Sequence, residues 1–167
     1  MKKLVLLTCL LVCACMVAVA GNKKKQKKAD EDTQTYRYEL EYIKSAGTGL
    51  VNVKVWNYSK NPNVATEQTK KNAVHGVLFK GYAGTSGATQ PAIVKDPTAF
   101  TTHAAFFDSF FATGGDYMRY VSSTIGSPEV TKVGKEYKVG VIVQVNAAFL
   151  RKHLEQAGIV KRLSTGF

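Results

Sequence analysis

The chain carries three imidazoles, His75, His103 and His153, one in each segment with helical periodicity. None is followed at i+3 or i+4 by a second His, Asp or Glu, so no single helix face presents a metal-binding pair. His153 stands two residues before Glu155, a spacing that points the two side chains apart. His75 sits between Val74 and Gly76 beside an apolar stripe and reads as a satisfied, partly buried histidine. If the chain is a hydrolase, His75 or His103 is the candidate base. Glycosidase chemistry needs two carboxylates across a cleft, and Glu39 and Glu41 instead share one face of a strand pattern. No serine stands in a Gly-x-Ser-x-Gly elbow. Gly81-x-x-Gly84-x-x-Gly87 follows a helix pattern instead of opening a helix after a strand, so the phosphate-binding contexts fail. No cofactor or metal is expected, and no catalytic residue is assigned.

Nucleic acid is the next chemistry to weigh, because single-strand binders interleave aromatics with Lys and Arg. Tyr36-Arg37-Tyr38 and Tyr117-Met118-Arg119-Tyr120 have that composition. In both, the aromatics share a face that must also serve as core, which argues against a stacking platform. Trp56 and Tyr58 fall opposite the valines of their strand. They are expected to pack under a loop, the other reading being an exposed aromatic ledge.

The ends of the chain carry the plainest signals. Met1-Lys2-Lys3 precedes an apolar run from Leu4 to Val17, and Ala18-Val19-Ala20 supplies small residues for signal-peptidase cleavage before Gly21. Residues 1–20 are therefore expected to be a removable signal peptide. The run is short for a membrane span, which takes about 20 residues. Val12-Cys13-Ala14-Cys15 also loosely fits a lipobox in which Cys15 would be acylated, so free and lipid-anchored forms both stay open. All three cysteines, Cys9, Cys13 and Cys15, lie inside this segment. The remaining chain of about 147 residues then has no thiol and must be held by its own core, which at this size covers about two-thirds of the unfolded surface.

Without residues 1–20 the net charge is about +9. Residues 21–33 hold Lys23, Lys24, Lys25, Lys27 and Lys28, then Asp30, Glu31 and Asp32, with no apolar side chain larger than alanine. This composition predicts a disordered basic arm, and its lysines are the candidate contacts with an anionic surface. Residues 34–167 form the expected single domain and carry a surplus of about +7 by themselves.

The elements that must position these side chains follow from period. Tyr36, Tyr38, Leu40 and Tyr42 alternate with charges, Ala46 to Gly49 is a turn, and Val51, Val53 and Val55 alternate again: a hairpin. Asn63 is the expected N-cap of a helix reaching Lys80, with Ala65, Thr69, Ala73, Val74, Val77 and Leu78 inward and Lys70, Lys71 and Lys80 toward solvent. Residues 81–91 read as loop. A helix is expected from Thr98 to Thr113, with a stripe of Phe106, Phe107, Phe110 and Phe111 facing the core. Short strands follow at 117–122 and 129–133. Tyr137 to Val145 is the clearest strand and reads as central, and Asn146 caps a last helix ended by Gly158. Strands in pairs separated by helices predict an α+β domain of two layers, a mainly antiparallel sheet with helices packed on one face.

Val53-Lys54-Val55-Trp56, the run from Lys70 to Gly81, and the run from Val133 to Val141 together resemble a family of small exported proteins of Bacteroides-type bacteria. That resemblance implies a location and no site. The element order is also similar to the amino-terminal domain of flagellar-assembly protein T and to small outer-membrane lipoproteins. The expectation is an exported envelope protein, periplasmic, extracellular or attached to the outer membrane. It would be a non-enzymatic binding or assembly module whose partner is an anionic envelope surface or an envelope protein. A hydrolase acting on envelope polymers is the competing reading.

Overall fold

The computed structural model describes residues 35–84 and 89–163, together with Lys24, Lys27, Lys28 and Glu31. Along the chain run β1 (Tyr38–Ser45), β2 (Leu50–Ser59), α1 (Pro62–Phe79), β3 (Tyr82–Ala83), β4 (Thr89–Gln90), α2 (Ala99–Thr102), α3 (Ala104–Phe110), a 3-10 turn (Asp116–Tyr120), β5 (Val121–Val133), β6 (Glu136–Asn146) and α4 (Ala147–Gln156). The sheet order is β4-β3-β1-β2-β6-β5, antiparallel except where β1 meets β3. This is the expected α+β domain.

Register decides the two faces. Tyr38, Leu40 and Tyr42 pair with Asn57, Val55 and Val53, and Val51, Val53 and Val55 pair with Val145, Val143 and Val141. Those valines are buried beneath the helices. β-Branched side chains suit such a pleated, covered surface. β6 has a neighbour on each side and is central, as its valine run predicts.

The helix α1 starts two residues earlier than Asn63 implies. Asn61 is the cap, its side chain accepting from the Asn63 N–H at 2.9 Å, and Pro62 takes the first helical position, where its fixed φ and missing N–H cost nothing. Gly81 at φ +71 ends the helix, its N–H donating to Gly76 O. Lys71 is buried and not on the solvent side; its ammonium lies 5.7 Å from the Tyr117 ring centroid. A cation over a ring face tolerates burial that a bare ammonium would not.

Other expectations need correction. The 81–91 stretch contains β3 and β4, two residues each, which extend the sheet beyond β1. The expected helix from Thr98 to Thr113 is broken at His103 (φ −110, ψ 35) into α2 and α3. The break lets Phe100 stack on Phe107 at 5.3 Å while Phe107, Phe110 and Phe111 remain buried. Residues 116–120 form a 3-10 turn and not a strand, which carries Tyr117 and Tyr120 inward. The two short strands are one, β5, whose pairing with β6 slips between Val121 and Thr124 and between Ile125 and Glu129. Bulges absorb the Gly126–Pro128 interruption on an edge strand, where proline is tolerated.

In the 21–33 arm the four described residues, Lys24, Lys27, Lys28 and Glu31, have helical backbone and exposed side chains, where disorder was expected. Lys and Glu are good helix formers, and Lys27 and Glu31 stand one turn apart. Lys23, Lys25, the signal segment and Cys15 lie outside the described residues. Among the described residues no helix is long and apolar enough to cross a membrane.

Candidate functional site

His75 projects from α1 into a cluster of rings and is 8% exposed. Its Nδ1 lies 2.7 Å from the Tyr38 hydroxyl, and Tyr36 stacks on it with centroids 3.5 Å apart. Phe79, Phe100 and Phe111 surround the pair. Burial first, and the Lys80 charge second, hold the imidazole down to about 3, so it is neutral. Burial also pushes Tyr36 up to about 12 and Tyr38 further up. Tyr36 has φ +43, a left-handed backbone that costs a bulky residue about 1–3 kcal/mol. Its stack on His75 offsets that strain.

A general base must reach a substrate proton. Three hollows, of about 230, 350 and 540 Å³, open among the described residues, and His75 lines none of them. His103 sits at the α2–α3 break, its N–H donating to Ala99 O. The His153 Nδ1 faces the Tyr120 hydroxyl, against Phe106 and Phe110. The three histidines are thus placed separately, and no cluster of three His, Cys, Asp or Glu that could hold a metal occurs among the described residues. The burial of His75 matches its reading as a satisfied core residue. No histidine lines any of these three hollows.

The sheet face away from the helices carries Trp56 and Tyr58, both half-buried. The indole lies flat over β6 at Gly140, where an added Cβ would approach Trp56 Cζ3 to 2.5 Å. Lys54 and Lys138 lie 4.3 and 5.1 Å from its centroid, and Arg37 lies 4.7 Å from that of Tyr58. Lys54 pairs with Glu129, Lys138 with Glu39 and Arg37 with Glu136, while Trp56 Nε1 donates to Glu41 at 3.5 Å. The Tyr58 hydroxyl donates to Glu39, and that bond, ahead of the one from Lys138, draws the Glu39 carboxyl below its ordinary value. With Lys44, which pairs across from Asn52, and Lys60, which lies beside Tyr58 and Glu136, the face holds five cations and four carboxylates. Most of the surplus of about +7 in residues 34–167 therefore lies off this face.

Replacing Gly140 by valine tests this ladder. β-Branching alone would favour a strand, but the indole must move, so a loss of about 1–3 kcal/mol is expected. The emission of Trp56, the single tryptophan, should shift to the red. A more stable protein with unshifted emission would show that the indole does not lie on β6.

One end of the molecule places four cations around a hollow of about 540 Å³. Two distant segments make it. In the 93–96 strap, Ile93 and Val94 donate to Val77 O and Leu78 O at the end of α1. After α4, Gly158 at φ +72 turns the chain back, and Ile159 and Val160 both donate to Leu154 O. Arg151 ties helix to tail, its Nε donating to Glu155 at 2.9 Å and its Nη2 to Lys161 O at 3.3 Å. Lys95, Arg151, Lys161 and Arg162 line the hollow with Ile93, Val94, Ile159, Val160 and Leu163. Lys161 and Arg162 stand out in the sequence as a basic pair; their meeting with Lys95 depends on tertiary anchorage that no local pattern encodes.

A smaller hollow of about 230 Å³ is lined by Lys28 and Glu31 of the arm with Arg37, Tyr58, Lys60 and Glu136 of the body. The arm's end therefore adjoins the Tyr58 side of the outer sheet face, with Lys24, Lys27 and Lys28 exposed. Comparison with protein-family models, with curated proteins and with solved structures yields no match to this chain.

Proposed function

We propose that the chain is an exported protein of the cell envelope, a non-enzymatic binding module that rests against anionic envelope surface. The charge carries this reading: residues 34–167 hold a surplus of about +7, although Lys54, Lys138 and Arg37 on the outer sheet face are each matched by a carboxylate. Such a surplus favours attraction to a negatively charged plane. The signal-like first twenty residues and the resemblance to small exported proteins support the location.

Sedimentation with vesicles of three parts phosphatidylcholine to one part phosphatidylglycerol tests the reading. Capture is expected at low salt, with release as the Debye length shrinks to about 8 Å at physiological ionic strength. Deleting residues 22–28 should weaken capture, each lysine near the surface contributing about 1 kcal/mol. Equal capture by pure phosphatidylcholine, or capture indifferent to salt, would overturn the electrostatic reading. Intact mass of the exported protein distinguishes a chain starting at Gly21 from one acylated at Cys15.

A further inference from the structure

From the hollow at the α4 end we infer a specific site for a phosphate-bearing lipid, with the phosphate held by Lys95, Lys161 and Arg162 and an acyl chain along Ile93, Ile159 and Leu163. This deepens the proposed function, since it names the ligand class of one place on the cationic surface. The volume, about 540 Å³, falls within the roughly 300–1,000 Å³ of small-molecule sites. Charge at the mouth is lopsided. Four cations face a single lining carboxylate, Asp96, whose Oδ1 already accepts from the Thr98 N–H at 2.8 Å and hydroxyl at 2.7 Å. Glu155, bonded to Arg151, leaves Lys95, Lys161 and Arg162 as the cations able to turn to a ligand.

The floor is apolar, and Leu163 is 70% exposed beside the basic pair. Cations adjoining exposed apolar surface form the pattern that anionic amphiphiles fit and free anions do not. No aromatic ring lines the hollow, so a base would find nothing to stack on. The walls are anchored before any ligand arrives: the strap by α1 carbonyls, the tail by Leu154 O and Arg151. Little ordering remains to oppose binding.

The test uses the exported protein and dihexanoyl phosphatidylglycerol kept below its micelle concentration, with dihexanoyl phosphatidylcholine and inorganic phosphate as comparisons, followed by calorimetry. Saturable binding is expected for the anionic lipid, about tenfold weaker for each comparison. Lys161→Glu with Arg162→Glu, both exposed, should weaken it by about tenfold or more, because two attractive charges become repulsive. Leu163→Ser should weaken the lipid and leave phosphate unchanged. Phosphate binding as tight as the lipid would reduce the site to an anion site and overturn the proposal, as would charge-reversed protein that binds unchanged. If vesicles capture the protein while the monomeric lipid does not bind, the surface reading stands and the lipid site falls; if vesicles fail as well, both fall.

Discussion

Truncating Phe107 to alanine is expected to lower the folding free energy by about 3–5 kcal/mol. The side chain is fully buried, with ring centroids of Phe79, Phe106 and Phe100 at 5.1, 5.2 and 5.3 Å. Its removal leaves a void bounded by rigid rings that collapse poorly, and it discards edge-to-face contacts beyond the area term. A domain of this size has about 5–15 kcal/mol in all, so the variant should unfold at a much lower urea midpoint. Phe107→Leu should lose markedly less. A loss under about 1 kcal/mol for alanine would mean that the phenylalanine stripe is not the centre of the core.

The second large effect concerns acid. Folded His75 is depressed to about 3, while an unfolded histidine titrates near 6.5. Below pH 6.5 the unfolded chain takes a proton that the folded chain refuses. Stability should therefore be full above about pH 6.5 and fall as pH drops toward 3, by up to about 1.4 kcal/mol per pH unit. Glu39 and Asp96, both depressed by hydrogen bonds, add losses only below the ordinary carboxylate range. Between pH 6 and 5 the slope isolates the imidazole. His75→Phe should be less stable at neutral pH, since Tyr38 loses its partner, yet show a flatter profile across that window. An unchanged slope would place the buried titrating group elsewhere.

Much of this architecture is legible where one periodicity rules a segment. The valines of β2 and β6 and the inward stripe of α1 carry their burial on their face, and the pairing of successive strands follows from short turns between them. Legibility ends where tertiary contact overrides local preference. Tyr117 and Tyr120 sit in β-prone sequence, but burying both rings beneath α3 favours a 3-10 turn. His103 breaks a helix that Ala and Phe would otherwise continue, because Phe100 and Phe107 pack face to face only across a bend. Alternation sets Trp56 opposite the valines, but its seat over β6 depends on the absence of a side chain at Gly140, on a strand 84 residues away in the chain. The cationic hollow is the extreme case, since residues 93–96 and 159–163 share no pattern and meet only because each is bonded to the end of a helix.

The strand order has a kinetic consequence. β2 lies between β1 and β6, so its second neighbour is supplied only after the chain has passed residue 136. A two-stranded hairpin is marginal in water, and closing so long an intervening segment must be met entropically before the β2–β6 ladder returns anything. A chain emerging from its N-terminus thus holds a valine-rich strand with one open edge until nearly all of it has appeared. Folding is committed late, at the arrival of β6, and the growing chain must be kept from pairing with others until then.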